Sequence, residues 1–323
     1  MKNIWQELPR PMMVLAPMED VTDTVFRRIV MSCGAPDLYF TEFTSVDGLN
    51  SIGYEYVAKR LEFTQTEYPL IAQIWGAKPE NYYKAAKELV EMGFDGIDIN
   101  MGCPVKDVIK LGVCSALIKN PKLAAEIIQA TKEGAAGKIP VSVKTRIGFN
   151  TIQTEEWLGF LLDQDIAALT VHGRTVKEQS KVPAHWDEIA KAVRLRNAKN
   201  IKTVIIGNGD VQSLEEAHAR VEETGVDGIM VGRGIFHDPW LFNKEHHGDE
   251  VTFEEKITKL IEHIELYQET WVTKKPYAIL KKFFKCYING TPGASELRAE
   301  LIVLDSPEEV VKRLRALLSE QKV

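Results

Sequence analysis

Eight short apolar runs, separated by segments with helical periodicity, constrain the fold of this 323-residue chain more than any other feature. Each run is rich in Val, Ile and Leu, which is typical of parallel strands buried on both faces. Eight is also the number of strands that closes a (β/α)₈ barrel, a fold of roughly 250 residues. The runs are MMVLA (12–16), LYFTEF (38–43), LIAQIW (70–75), GIDIN (96–100), PVSVKTR (140–146), ALTVHG (168–173), TVIIGNG (203–209) and GIMVGRG (228–234).

The segments between the runs fit the same alternation of strands and helices. Residues 79–92 and 121–133 each begin with Pro, which is common at the first turn of a helix. An open, doubly wound α/β sheet would contain similar strands. The regular spacing of eight units and the lack of a GxGxxG motif after the first run favour the barrel. The predicted fold class is therefore α/β, with a (β/α)₈ TIM barrel.

The β pattern ends near Phe242, and the rest of the chain is predicted to be helical. Helical periodicity covers residues 253–267, 277–287, 295–302 and 307–318. We therefore predict two domains: a catalytic barrel over residues 1–243 and a small all-helical domain over residues 244–323.

Composition and charge limit the class of protein. No apolar run approaches the ~18 residues of a membrane span, and the first residues lack a signal-type apolar core, so we expect a cytoplasmic protein. Cys33, Cys103, Cys114 and Cys286 lack the spacing of a zinc site or a disulfide framework, so no metal is expected. The net charge of −6 disfavours a nucleic-acid partner unless a local basic patch overrules it. A monomer without an obligate protein partner is the simplest expectation.

Polar side chains recur where the predicted strands end. Barrel enzymes build their sites at the carboxyl ends of their strands, so these residues are functional candidates. The motifs GNGD (207–210) and VGRG (231–234) end the seventh and eighth strands, where barrels often bind phosphate. Either motif alone is typical of a tight turn, but the two together predict a phosphate site. The other strand-end residues are Ala16, Pro17, Met18, Glu42, Gln73, Asn100, Lys144, Arg146, His172, Arg174, Asn208 and Arg233.

A lysine inside an apolar strand needs a partner. Lys144 either pairs with a carboxylate, such as Glu42 or Asp98, or faces the electron-rich edge of a ligand. His172 is either a ligand contact or a hydrogen-bonded core residue. A phosphate site, a cation and several hydrogen-bonding side chains together favour flavin mononucleotide (FMN) as the ligand, and a sugar phosphate fits them less completely.

Cys103 is the candidate acid. It follows Asn100 closely at the end of the fourth run, and Pro104 restricts the backbone after it, so its thiol is predicted to point over the barrel mouth. A thiol has a reference pKa of about 8.5 and can donate a proton near neutral pH. The alternative is a small buried hydrophobic residue, which is the simpler interpretation of Cys114.

These residues resemble the tRNA-dihydrouridine synthases, a family of FMN-dependent barrels with a C-terminal helical domain. The resemblance covers almost the whole chain, and the motifs occur in the same order. The chain departs from the usual pattern of the family at Asp20, at Asp107 and over residues 178–182. The matching motifs are APMEDVTD (16–23), TEF (41–43), AQIWG (72–76), DINMGCP (98–104), VKTRIG (143–148), VHGRT (171–175), GNGDV (207–211) and MVGRG (230–234).

The resemblance implies a role for each matching residue. Cys103 would protonate C5 of a uracil after hydride transfer from flavin N5 to C6, with NADPH as the reductant. Lys144 would stabilise negative charge at the flavin N1–O2 edge. The residues expected to bind the cofactor are Ala16, Pro17, Met18, Gln73, Lys144, His172, Asn208, Gly209, Asp210, Gly232 and Arg233. Those expected to contact the uracil or the RNA are Glu42, Asn100, Arg146, Arg174, Lys281, Lys282, Lys285 and Arg298. Glu42 and Arg174 could instead contact the flavin or each other, since spacing does not distinguish these contacts.

A basic stretch of the helical domain is predicted to bind the backbone of tRNA. A uridine in folded RNA must be extruded to reach the barrel, so the protein needs a contact with the RNA outside the pocket. Lys281, Lys282 and Lys285 fall near one another on a helix, and aromatic residues are interleaved with them. The alternative is a solvated charged face.

The sequence favours a tRNA-dihydrouridine synthase over two other functions. A flavin-dependent reductase of a free small pyrimidine or enone would act on nucleobases without RNA. A flavin-binding or RNA-binding module without chemistry would function equally well with Ala in place of Cys103.

Overall fold

Nine parallel strands form one sheet in the part of the chain that the structure describes. The computed structural model describes residues 3–246, 248–272 and 274–320. The strands are β1 (Met12–Leu15), β2 (Tyr39–Phe40), β3 (Thr44–Ser45), β4 (Leu70–Trp75), β5 (Gly96–Met101), β6 (Val141–Arg146), β7 (Ala168–His172), β8 (Val204–Asn208) and β9 (Gly228–Val231).

The sheet closes into a barrel. Its strands follow the order β1-β9-β8-β7-β6-β5-β4-β2, and β3 also pairs with β4. The Leu15 N–H donates to the Leu38 carbonyl at 3.1 Å and the Asp37 N–H donates to the Met13 carbonyl at 2.8 Å, which joins β1 to the start of β2. Because β2 and β3 occupy one position of the barrel, eight strand positions result, and the predicted (β/α)₈ fold class is confirmed.

The prediction of one continuous second strand over residues 38–43 is wrong, because two short strands, β2 and β3, lie in this region. After Phe40 the backbone leaves the regular ladder, and pairing resumes at Thr44. The Thr41 hydroxyl replaces a backbone group there: it accepts the Gln73 N–H at 3.1 Å and donates to the Glu42 carbonyl at 2.7 Å. A side chain that satisfies strand hydrogen bonds interrupts the ladder.

Apolar side chains fill the amino-terminal part of the barrel, and polar side chains lie towards the carboxyl ends of its strands. Alternate residues of a strand face the same side, so Ala168 and His172 share the inward face of β7. The inward positions deeper in the barrel are apolar on most strands, whereas those at the strand ends are polar. The apolar core consists of Ile4, Trp5, Met12, Val14, Ala16, Leu38, Phe40, Ile71, Ala168, Val204, Ile206 and Met230.

Helices connect the strands. The predicted helix 79–92 is confirmed in both bounds: Pro79 occupies its first turn, and Gly93, with φ of 89°, ends it in the left-handed region. The α-helices are Ile4–Glu7, Thr24–Cys33, Val46–Leu49, Tyr54–Ala58, Pro79–Met92, Lys106–Lys110, Pro121–Ala135, Gly159–Leu162, Trp186–Ala198, Leu214–Thr224, Phe253–Trp271, Phe284–Tyr287, Ala294–Ile302 and Pro307–Glu320. The 3₁₀ helices are Lys59–Leu61, Gln65–Glu67, Cys114–Lys119, Arg233–Phe236, Gly248–Glu250 and Tyr277–Phe283, and Thr154–Leu158 is a π-helix.

The chain divides into two compact units. The first contains the whole barrel sheet and comprises the residues up to 23, 36–211 and 215–232. The second comprises residues 24–35, 212–214 and the chain from 233 onwards. The division between domains that the sequence places after residue 243 stays a prediction. No helix in the described part of the chain is both long and apolar enough to cross a membrane.

The second unit is built around the helix Phe253–Trp271, which packs against Thr24–Cys33 and Pro307–Glu320. The segment predicted as one helix over 277–287 is instead the 3₁₀ helix Tyr277–Phe283 followed by one short α-helix. Side chains three apart eclipse each other in a 3₁₀ helix, so Leu280 and Phe283 are buried on one face.

We predict that Gly228→Ala destabilises the barrel by about 1–3 kcal/mol because a Cβ at this position would lie 2.4 Å from the Met12 carbonyl oxygen, where β9 pairs with β1. Gly159→Ala is the control. Gly159 has helical φ and ψ of −57° and −44°, with open space around its Cβ position, so this variant should be stabilised by about 0.4–1 kcal/mol. Urea unfolding measures both, and a Gly228→Ala variant as stable as the wild type would contradict the packing described.

Candidate active site

Five of the predicted site residues meet at the carboxyl ends of neighbouring strands. Gln73, Asn100, Lys144, His172 and Asn208 belong to β4, β5, β6, β7 and β8, respectively. The register pairs Asn100 with Lys144, and His172 with Asn208. Because the strands are parallel, these side chains lie at the same end of the barrel. The barrel therefore brings together amide, imidazole and ammonium groups around one mouth.

A continuous hydrogen-bond network begins at Asp98 and ends at Cys103. The Asp98 carboxylate is fully buried and accepts from the Ser142 hydroxyl and from Gln73 Nε2, both at 2.7 Å. Gln73 Oε1 then accepts from Asn100 Nδ2 at 3.0 Å. Asn100 Oδ1 finally accepts the backbone N–H of Cys103 at 3.1 Å. Because a carboxylate only accepts hydrogen bonds, Asp98 sets the orientation of both amides.

Sequence reasoning considered Asp98 only as a possible partner of Lys144 and missed its place in this network. The signal was present, since Asp98 precedes Asn100 by two residues and therefore shares its inward face. Burial raises the pKa of Asp98 to about 6, while the hydrogen bonds from Ser142 and Gln73 act in the opposite direction. The carboxylate is thus charged at neutral pH at a cost in stability.

Cys103 lies in a tightly held turn directly after β5. The Ser115 hydroxyl donates to the Cys103 carbonyl at 2.6 Å, and Arg146 Nε donates to the Gly102 carbonyl at 2.8 Å. Cys103 packs with Val113 and Cys114, and the residue is about 9% exposed. Burial raises the pKa of Cys103, so the thiol keeps its proton at neutral pH. The position suits a proton donor at the mouth.

Lys144 is a largely buried cation with little compensation from the protein. Burial lowers the pKa of Lys144 to about 8, and the nearby Arg146 guanidinium acts in the same direction. Within the described residues its ammonium donates one hydrogen bond, to Asn208 Oδ1 at 3.3 Å, and it forms no ion pair with Glu42 or Asp98. An ammonium has three donors, so an anionic or electron-rich ligand would complete its coordination. The donor set therefore fits a ligand in the barrel mouth.

The residues of the predicted phosphate site lie at the ends of β8 and β9. Asn208 Nδ2 donates to the Met230 carbonyl at 2.8 Å, which ties the two strand ends together. Next to Gly232 there is open space that a Cβ would partly fill, bordered by Ala16 Cβ at 3.7 Å and Met18 Sδ at 4.0 Å. Gly209 has φ of 146°, and a Cβ there would lie 2.5 Å from Ala184 Cβ. The backbone at Gly232 is thus open to a group that needs N–H donors, whereas Gly209 is required by its positive φ and by close packing against Ala184.

The remaining predicted cofactor residues lie in the same loops. Pro17 and Met18 follow β1, and the Met18 N–H donates to the Thr22 hydroxyl at 2.8 Å. Arg233 begins the 3₁₀ helix Arg233–Phe236 directly after Gly232. Asp210 has φ of 58° and accepts the Ala184 N–H at 3.0 Å.

Arg146 and Arg174, predicted to contact the uracil or the RNA, have extensive contacts within the protein. Arg146 Nη1 donates to the Thr175 carbonyl at 3.2 Å and to the Gln179 carbonyl at 3.1 Å. Arg174 pairs with Asp210 and donates from Nε to the Val182 carbonyl at 2.6 Å. Both guanidinium groups therefore shape the loop after β7, and their contact with a substrate stays a prediction.

Glu42 also acts within the protein. Its Oε1 accepts the Asp20 N–H at 2.7 Å, where Asp20 has a positive φ of 55°. Glu19 in the same loop pairs with Arg60 at 2.6 Å. The three carboxylates of Glu19, Asp20 and Glu42 lie within 4.8 Å of one another. The loop after β1 is thus held against the segment that follows β3.

The basic residues predicted to contact RNA differ in their contacts within the second unit. Lys281 donates to the carbonyls of Ile302 and Leu304 at 2.7 and 2.9 Å, so its charge lies at the carboxyl end of the helix Ala294–Ile302, where a cation is stabilising. Arg298 donates to the Ile288 carbonyl at 2.5 Å. Lys282 and Lys285 are exposed. These two retain the exposure that an RNA contact requires.

Comparisons with known proteins agree on one family. The family model "Dihydrouridine synthase (Dus)" matches residues 14–322. A protein of Bacillus subtilis (strain 168) named "Probable tRNA-dihydrouridine synthase 2" is 47% identical over 322 residues, which cover 99% of this chain and 96% of the relative. A "Probable tRNA-dihydrouridine synthase" of Staphylococcus aureus (strain Mu50 / ATCC 700699) is 46% identical, covering 99% and 95%.

A solved structure has the same fold. Morphinone reductase superposes with a TM-score of 0.52 at 13% identity, over 73% of this chain and 85% of the reductase chain. At this identity the likeness concerns the barrel architecture alone.

We predict that Asp98→Asn changes the pH dependence of stability. The pKa of Asp98 in the folded chain, about 6, lies above its ordinary value of 3.8, so folding favours the protonated carboxyl. The contribution of this group to the free energy of unfolding is therefore fully present below pH 4 and is lost as the pH rises through 6. Relative to the wild type, the variant should therefore gain up to about 3 kcal/mol of unfolding free energy between pH 4 and pH 7.

Urea unfolding at a series of pH values measures this difference. Asp107→Asn, at an exposed carboxylate of the same segment, is the control and should leave the pH profile unchanged. A constant difference between Asp98→Asn and the wild type at all pH values would contradict a raised pKa.

Proposed function

This chain belongs to the dihydrouridine synthase family, and from that premise we propose that it is a tRNA-dihydrouridine synthase that uses FMN and NADPH to reduce the 5,6 double bond of specific uridines in tRNA. The observation that carries the proposal is Cys103, held by Asn100 in the turn after β5, at a barrel mouth that also contains an incompletely coordinated Lys144. An acid and a cation at one mouth suit a reaction that adds hydride and then a proton to a ring.

The residues of the mouth fit FMN by their chemistry. Lys144 would hold the electron-rich edge of the flavin, with Gln73 and His172 as hydrogen-bonding neighbours. Asn208, Gly209, Gly232 and Arg233 would hold the phosphate, and Ala16, Pro17, Met18 and Asp210 would complete the binding site. The chemistry that a bound FMN supplies is hydride donation to C6 of the uracil, with NADPH as the source of electrons.

Cys103 donates the proton to C5 in the proposed reaction. The backbone N–H of Val105 and the positive charges of Arg146 and Lys144 partly oppose the effect of burial on the pKa of Cys103. The same groups stabilise the thiolate that remains after proton transfer, which solvent then reprotonates. Asn100 holds the turn that carries the thiol and is proposed to contact the uracil.

The contact with tRNA is proposed to involve the exposed Lys282 and Lys285 of the helical domain, residues 244–323, with Lys281 and Arg298 supporting that surface. Phosphate neutralisation by lysine is the main source of affinity for RNA backbone. We further propose that the enzyme acts as a monomer in the cytoplasm.

Cys103→Ala should retain FMN and lose dihydrouridine formation by a factor of about 10²–10⁴, the usual contribution of a general acid. The measurement is the mass increase of unmodified tRNA incubated with NADPH and the FMN-loaded protein, beside the flavin absorbance of each variant. Because burial raises the pKa of Cys103, the rate of the wild type should stay constant through neutral pH and fall only at higher pH.

Cys33→Ala, which removes a buried thiol of the second unit, is the control and should remain active. Undiminished turnover by Cys103→Ala would remove the thiol from the mechanism. Equal efficiency of the wild type on free uridine and on tRNA would favour a reductase of small pyrimidines instead.

FMN binding to wild-type apoprotein at pH 8 should be accompanied by uptake of about half a proton by Lys144, because its pKa of about 8 leaves it half protonated and an anionic ligand favours the ammonium. Calorimetry in buffers of different ionisation enthalpy measures proton uptake. Lys144→Met should abolish this component, whereas Lys181→Met, at an exposed lysine, should keep it. Identical uptake by the wild type and Lys144→Met would contradict the assignment.

A further inference from the structure

Five large apolar side chains are exposed in loops around one side of the barrel mouth. Ile52 and Tyr56 follow β3, and Val105 and Leu111 follow β5, on either side of the helix Lys106–Lys110. Ile152 follows β6. Ile52 is fully exposed, and Tyr56 and Leu111 are 67% and 65% exposed. These five residues are called the rim patch below.

The rim patch is local to the mouth. β3 pairs with β4, β4 with β5, and β5 with β6, so the three loops stand side by side around the turn that holds Cys103. Among the described residues of the barrel unit, the other large apolar side chains with comparable exposure are Tyr83 and Met92, both on the helix Pro79–Met92. Exposed apolar residues concentrated in one place indicate a binding surface.

Cations accompany the rim patch. Lys59 Nζ lies 4.4 Å from the centre of the Tyr56 ring, and Arg60 lies 5.7 Å from it. Lys106 and Lys110 lie between Val105 and Leu111 in the sequence. Flat apolar or aromatic surface beside positive charge suits a polyanion with exposed ring faces, as in unpaired nucleotides. Paired bases are stacked inside a duplex and cannot present those faces.

The loops that carry the rim patch are fixed relative to the mouth. Asp47 Oδ2 accepts the Ala77 N–H at 2.9 Å, and Asp47 Oδ1 accepts from Asn81 Nδ2 at 2.8 Å, which anchors the segment before Ile52. The hydrogen bond from Ser115 to the Cys103 carbonyl anchors the loop that contains Val105 and Leu111. A surface ordered before binding loses less entropy when a ligand docks.

We propose that the rim patch binds the unpaired nucleobases next to the target uridine, by stacking and apolar contact, when that uridine is extruded into the mouth. This inference rests on the proposed function, because the rim patch would be a second contact surface for the tRNA whose uridine enters the active site. Two tasks are thereby assigned to two surfaces. Lys282 and Lys285 bind phosphate groups irrespective of the sequence of the RNA, and the rim patch selects RNA whose bases are already unstacked.

The test compares the affinity of FMN-loaded variants for a fluorescently labelled, unmodified tRNA transcript and for duplex RNA of equal length. The triple variant Ile52→Ser/Tyr56→Ala/Leu111→Ser should raise the Kd for tRNA at least about ten-fold, because stacking of one base commonly contributes that much. Its Kd for the duplex should stay unchanged. Tyr83→Ala/Met92→Ser removes exposed apolar groups elsewhere on the barrel unit, 41% and 36% exposed, and should bind both RNAs like the wild type.

Two further measurements distinguish stacking from charge. Tyr56→Trp should keep wild-type affinity for tRNA, whereas Tyr56→Ala should not. The ratio of the Kd of the triple variant to that of the wild type should persist between about 50 and 200 mM salt, a range over which purely ionic contacts weaken strongly. RNA-independent oxidation of NADPH and thermal stability should match the wild type, since the altered side chains are exposed and lie outside the catalytic groups.

Unchanged tRNA affinity of the triple variant, or an equal loss of affinity for tRNA and duplex, would overturn the proposal while leaving the synthase activity intact. A wild type that neither binds nor reduces tRNA would instead overturn the proposed function, and the rim patch assignment with it.

Discussion

The buried charge of Asp98 is the constraint on which the interior of this barrel depends. A carboxylate without water is tolerated only where donors and a nearby cation compensate for the lost hydration. Ser142 and Gln73 supply the donors, and Lys144 supplies positive charge. Because each amide in turn is oriented by the previous hydrogen bond, a residue one layer deeper than the mouth determines how the backbone of Cys103 is held. Burial of the Asp98 carboxylate thus lowers the stability of the fold, and its hydrogen bonds fix the orientation of the turn that carries Cys103.

The fold was predictable because its main signals are local. Apolar runs predict buried parallel strands without knowledge of their neighbours, and β4, with Leu70 and Trp75 as its bounds, matches its run. The alternation of side chains along a strand then predicts which residues face into the barrel. Once Gln73 and Asn100 are placed at strand ends, closure of the barrel brings them together. Proline at a first turn and glycine after a last turn similarly marked the helix Pro79–Met92.

Features decided by distant partners were not predictable. The break in the strand after Phe40 depends on the Thr41 hydroxyl meeting the Gln73 backbone, 32 residues away. Lys281 is predicted to contact RNA, and spacing does not reveal that its ammonium also contacts carbonyls of residues about twenty positions later. Arginine presents the same ambiguity: at a strand end it serves a ligand or a loop, and spacing does not distinguish the two. Asp98 was underestimated because its role exists only through its hydrogen-bond partners.

The incomplete coordination of Lys144 links ligand supply to folding. A molecule that provides the missing acceptor binds the folded chain and has no comparable site on the unfolded one, so mass action shifts the folding equilibrium towards the native state. The level of folded protein in a cell then follows the availability of that molecule. A shortage of the ligand would therefore lower the free energy of unfolding of the chain together with the occupancy of its site.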